Sequence, residues 1–125
     1  GLLMLPENSL GEEMLNYPIG TNDMKELTGS AFQKETFINT PQFYFMGQLD
    51  DNDAVPYDDA FSQAEREQIF KLLGEQMLPK RWKTCSRMYK ESRVDADIRL
   101  YETIGHEHPQ EVKDDVVAFF NAILK

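Results

Sequence analysis

The sequence predicts an α/β fold in which two parallel strands carry flanking helices, an assembly incomplete by itself. Three observations support this. Two short runs, "PQFYFMG" and "ADIRLYETIG", have the apolar character of strands, and helical periodicity fills the stretches that follow each. The chain's 125 residues, 41% hydrophobic and 28% charged, suit one domain with one core. Helices alternating with apolar strands argue for a parallel sheet. A two-stranded sheet is marginal alone, and a parallel sheet needs covered faces and neighbours at its edges. The two strands are therefore expected to belong to a larger sheet.

In chain order, residues 1–41 lack a clear period and are punctuated by Pro6, Gly11, Pro18, Gly20 and Gly29, so they read as mostly loop, with a short helical turn at "DMKEL". "PQFYFMG", bounded by Pro41 and Gly47, reads as a buried strand. The polar "QLDDNDAVPYDDAF" that follows reads as a loop. The first secure helix starts after Ser62, because Glu65 stands at the capping-box spacing and Ile69, Phe70, Leu72 and Leu73 follow before Gly74. After Pro79, "KRWKTCSRMYKE" sets Trp82, Cys85 and Tyr89 on one helical face. The second strand is expected to end at Gly105. Pro109 suits the first turn of a last helix, in which Val112, Val116, Phe119, Phe120 and Ile123 form a stripe expected to face the core. Asp114 and Asp115 fall in its first turns, where they favour the helix dipole.

Composition excludes several function classes. A net charge of −9 disfavours nucleic acid and anionic membrane as partners, since both repel an acidic surface. No apolar run is long enough to span a bilayer. The opening "GLLMLPENSLG" has neither a basic leader nor a small-residue cleavage site and is not read as a signal peptide. The chain is expected to be soluble and cytoplasmic. The single cysteine, Cys85, excludes an internal disulfide and a multi-cysteine zinc site, and its helical spacing from Trp82 and Tyr89 makes it a core residue.

In a doubly wound sheet, functional groups gather past the carboxyl ends of the strands. "FYFMG" runs into Asp50, Asp51 and Asp53, and "LYETIG" runs into His106. A carboxylate and an imidazole at neighbouring strand ends can form an oriented general base: the acid holds the imidazole tautomer and stabilises the imidazolium. Other readings are weaker. A calcium loop counted from Asp51 would place Val55 and Pro56 at a ligand position and at the required glycine. In "HEH", His106 and His108 share a side if extended, but zinc needs further ligands and the helical H-E-x-x-H spacing is absent. No metal and no cofactor are expected. His108 reads as an exposed residue beside the last helix.

"PQFYFMGQLDDNDAVP" resembles the acid-bearing strand and loop of the α/β-hydrolase family, an apolar strand leading to Gly-x-x-Asp and then Val-Pro. "RLYETIGHEHPQEVKDDVVAFFNAIL" resembles that family's ending: strand, Gly-His, terminal helix. The order acid then histidine is also the family's. The resemblance covers residues 41–125 and implies the C-terminal part of an α/β-hydrolase sheet, with residues 1–40 as a loop-rich segment like a cap or lid. Carried over position by position, it makes Asp50 the triad acid and His106 the base. "DDNDAVP" holds more residues than the family pattern, so Asp53 stands as an alternative acid.

The family's Gly-x-Ser-x-Gly nucleophile elbow is absent. Ser30 in "LTGSAF" is nearest but follows no apolar strand, and Ser62 is a helix cap. The resemblance thus implies a portion of a serine hydrolase acting on a small-molecule ester or acyl substrate, inactive alone because it lacks the nucleophile and oxyanion hole. "GLLMLP" would then follow the nucleophile helix. The implied partner is the missing N-terminal half. A competing expectation is a non-catalytic module that pairs through exposed strand edges with another copy or a partner chain.

Overall fold

The computed structural model describes residues 15–57, 59 and 61–125. The reading of "GLLMLP", and that of residues 1–11 as no signal peptide, lie outside the described residues.

The molecule is a small mixed α/β unit. Strands β1 (Gln42–Gly47) and β2 (Ala96–Tyr101) pair in parallel, with Gln42 opposite Ala96 and Gly47 opposite Tyr101. Two short helices, α1 (Met24–Thr28) and α2 (Lys34–Asn39), precede β1. Helices α3 (Gln63–Leu73) and α4 (Trp82–Glu91) form the crossover to β2, and α5 (Gln110–Ile123) ends the chain. No helix among the described residues is long and apolar enough to cross a membrane.

The two faces of the sheet follow from the strand period of two. One face meets α4: Tyr44 packs edge-on against Tyr89 at 5.6 Å, and Phe37 does the same at 6.1 Å. Ala96 and Ile98 lie against that core, whose buried members are Leu15, Val55, Ile69, Leu73, Cys85, Met88 and Tyr89. Leu15 and Phe37 thus join the segment before β1 to the same core as the helices after it. The other face meets α5, where Phe43 packs on Phe119 at 5.5 Å and carries the Arg99 guanidinium at 5.2 Å.

Local chemistry sets the helix ends. The capping box at Ser62 forms: its hydroxyl accepts from the Glu65 amide at 3.3 Å, and Glu65 accepts from the Ser62 amide at 2.8 Å. Gly74, with φ of 113°, ends α3 and lets the chain reverse through a wide turn, Met77–Arg81, into α4. Helix α4 therefore begins at Trp82 rather than at Lys80. The second strand stops at Tyr101, not Gly105, because the chain turns there and Leu49 donates to the Ile104 carbonyl at 2.9 Å. Pro109 stands at the N-cap of α5, one residue before its first turn.

The stripe on α5 is corrected most. Val112 is 1% exposed and Phe119 half-buried, but Phe120 is 54% exposed and Ile123 is exposed as well. Val117 and Leu124, 82% exposed, widen this uncovered apolar face. Two strands offer a face only about 10 Å wide, which meets the side of the helix carrying Val112 and Phe119 and leaves bare the side carrying Val117 and Phe120. Asp115 also does more than face the helix dipole. It accepts from the Tyr101 hydroxyl at 2.6 Å and the Arg99 guanidinium at 2.8 Å, and Arg99 also pairs with Asp97 at 2.7 Å. This network fastens α5 to β2.

Candidate active site

Asp50 and His106 come together at the carboxyl ends of the two strands. The backbone brings them there by extending the ladder past β1: Gln48 donates to the Tyr101 carbonyl at 2.8 Å, and Leu49 to Ile104. The Asp50 amide then donates to the Gly47 carbonyl at 3.1 Å, turning its side chain toward the second loop. A β-carbon on Gly47 would lie 2.2 Å from the Ile104 oxygen and 2.3 Å from that of Gly105. Gly47 is thus required by the close passage of the histidine loop. Gly105 is not similarly confined, since a β-carbon there would meet only the Leu49 oxygen at 3.8 Å.

His106 Nδ1 lies 2.9 Å from Asp50 Oδ2. The acid is sheltered, its side chain 10% exposed, while the imidazole stands out at 66%. Burial pulls the Asp50 pKa up, but the His106 hydrogen bond, the Asn52 amide and the attraction of a charged imidazole outweigh it and leave the carboxyl below its usual range. An ionised carboxylate can only accept, so Nδ1 must carry the proton shared with Asp50. In the neutral ring, the Nε2 lone pair is then the outward group able to take a proton.

Asn52 touches both members. Its backbone amide donates to Asp50 Oδ1 at 2.9 Å, and its side-chain amide reaches His106 Nε2 at the longer distance of 3.4 Å. An amide N–H at Nε2 suits the tautomer that Asp50 selects.

Asp53, the alternative acid, is engaged elsewhere. Its carboxylate pairs with the guanidinium of Arg81 and accepts from the Val55 amide at 3.1 Å. Arg81 is buried and donates as well to the carbonyls of Gly74 and Glu75, at 3.1 and 2.8 Å, with Phe70 beside it. Asp53 therefore fastens the acidic loop to the turn before α4. His108 is exposed and stands edge-on to Phe45 at 5.6 Å. Among the described residues, no three His, Cys, Asp or Glu side chains are grouped to hold a metal ion.

Beside Asp50 and His106 opens a cavity of about 400 Å³. Its walls bring Pro18 and Ile19 from the segment before α1 together with Val55, Leu73, Met77 and Trp82. Among the described residues, no serine or threonine lines it. Cys85 does, but burial pushes its thiol pKa up to about 11 against the pull of Arg81, so it stays protonated and unreactive at neutral pH. Ser30 is exposed and bonded to the end of α1 through the Thr28 hydroxyl, and Ser62 is committed to its cap.

Sequence reasoning missed Asn52, Arg81 and the part played by residues 18 and 19. "DDND" offers four polar candidates and no periodicity to choose among them. Arg81 meets Asp53 across 28 positions, a pairing no local pattern announces. No protein-family model, curated protein or solved structure matches the chain.

Proposed function

We propose that the chain is the C-terminal portion of a serine α/β-hydrolase that cleaves a small-molecule ester or related acyl bond. Asp50 is the triad acid and His106 the base, while the nucleophilic serine and the oxyanion-hole amides come from outside these residues. The observation that carries this reading is the 2.9 Å contact between His106 Nδ1 and Asp50, with Nε2 facing outward at the ends of two parallel strands. His106 Nε2 would take the serine proton as the hydroxyl attacks, Asp50 would stabilise the imidazolium, and the same proton would pass to the leaving group. Residues 1–40 would act as a cap, a role supported by Pro18 and Ile19 in the cavity wall. The two-stranded sheet and the uncovered face of α5 support membership of a larger sheet.

The test pairs the chain with a segment bearing a Gly-x-Ser-x-Gly elbow and measures turnover of a p-nitrophenyl ester. His106→Ala should abolish turnover and Asp50→Ala should lower it by several orders of magnitude. Turnover unchanged in His106→Ala would overturn the assignment.

The uncovered apolar face of α5 favours a second reading, a non-catalytic module that docks on a second copy or another chain. Light scattering decides its first form: a dimer is expected, and a stable monomer with a cooperative melt counts against both this reading and membership of a larger sheet.

A further inference from the structure

The cavity beside His106 has a defined chemical character. At about 400 Å³ it lies toward the small end of ligand pockets, which span roughly 300–1,000 Å³. Ile19, Val55, Phe61, Leu73, Met77 and Trp82 make most of its wall apolar. The charged groups on the wall are already matched. Arg81 is held by Asp53 and two backbone carbonyls, and Asp50 by His106 and the Asn52 amide. An anionic ligand would meet two carboxylates and find Arg81, the buried cation of this wall, occupied, on a chain of net charge −9. An ammonium group would have to leave water for apolar walls with no unmatched carboxylate to receive it. The polar groups left at the mouth are the outward Nε2 of His106 and the Asn52 side-chain amide, whose nitrogen carries two donor hydrogens.

We propose that this cavity binds an uncharged carbonyl compound, its apolar body in the pocket and its oxygen accepting from the Asn52 side-chain amide beside His106, and that it discriminates against the carboxylate of the same chain length. The inference rests on the proposed function only in identifying this compound as the substrate class; binding itself needs no nucleophile. Such selectivity would favour a neutral ester over its acid product, so product would leave readily.

The full chain as it stands permits the test, with 2-octanone as the neutral probe and octanoate as its anionic counterpart. Trp82 is the one tryptophan and lines the cavity, so its emission reports occupancy. It also borders an open groove between α4 and β2, so NMR of the His106 ring and the Met46 and Met77 methyl groups, which line only the cavity of the two, fixes the location. Expected are a saturable emission change with 2-octanone, shifts at His106 and Met77, and octanoate binding at least tenfold weaker. Ile19→Phe and Met77→Phe each narrow the cavity with a larger side chain. Either one, if its circular dichroism melt shows it folded, should weaken 2-octanone binding at least fivefold. No saturable change, equal binding of octanoate, or shifts confined to residues of the α4–β2 groove would overturn the proposal. Because no turnover is measured, loss of this binding and loss of the His106 effect on ester hydrolysis are separate outcomes.

Discussion

The Cα of Gly47 lies so close under the carbonyl of Ile104 that a methyl group there would sit 2.2 Å from the oxygen. Backbone meets backbone, and no flexible side chain can give way. Gly47→Ala should therefore push the histidine loop outward. Overpacking of this kind costs about 1–3 kcal/mol, measurable by urea denaturation. The variant should also lose the downfield proton NMR signal expected for the Nδ1–H shared by His106 and Asp50. Retention of that signal would show that the loop tolerates the displacement.

Asp53 neutralises a buried arginine. Asp53→Ala strands the buried Arg81 charge at the start of α4, and breaking a buried pair by removing one partner costs about 3–5 kcal/mol. Asp53 retains some solvent contact, so the lower end is expected. The double variant Asp53→Ala, Arg81→Met should be less destabilised than Asp53→Ala alone, as a double-mutant cycle would read out.

Acid should weaken the fold in a defined window. The Tyr101 hydrogen bond draws the Asp115 pKa down, burial opposes it, and Arg99 adds to the lowering. Burial raises the Asp50 pKa, but His106 and the Asn52 amide together outweigh it, so Asp50 is also lowered. Both start from an ordinary value of 3.8. The folded state then binds fewer protons than the unfolded one, so stability rises with pH. The contribution is present in full above the ordinary value and lost as pH falls through the lower folded values. Asp115→Asn should flatten this dependence, as urea midpoints measured from pH 5 downward would show.

Two apolar residues should respond unequally to truncation. Ile69 is buried in the core, and Ile69→Ala should cost about 2–5 kcal/mol. Phe120 is largely exposed on α5, and Phe120→Ser should change the stability of the isolated chain by no more than about 0.5 kcal/mol. If a partner covers that face, Phe120→Ser should weaken the association while leaving the melt unchanged.

Much of the framework was legible because local chemistry determines it. Ser62 and Glu65 cap a helix by contacts three residues apart, and the runs around Tyr44 and Ile98 have no amphipathic helical alternative. Asp50 and His106 could be named because strand ends are where a parallel sheet gathers polar groups. The rest depends on distances the sequence does not carry. Whether Asp50 or Asp53 met the histidine turned on Arg81, a cation far along the chain. Whether Phe120 was buried turned on the width of the sheet, which periodicity cannot measure: a helix writes the same stripe whether or not something lies beneath all of it.

The ladder that continues from Tyr101 and Ile104 to Gln48 and Leu49 makes the imidazole a gauge of strand alignment. A slip of one residue between β1 and β2 would carry one loop past the other by roughly 3.3 Å and turn every side chain of the slipped strand to the opposite face. A displacement of that size exceeds what the 2.9 Å contact between His106 and Asp50 tolerates. The shared imidazole proton thus reports on the registration of the whole sheet, and a chain mispaired during folding would be silent at that frequency.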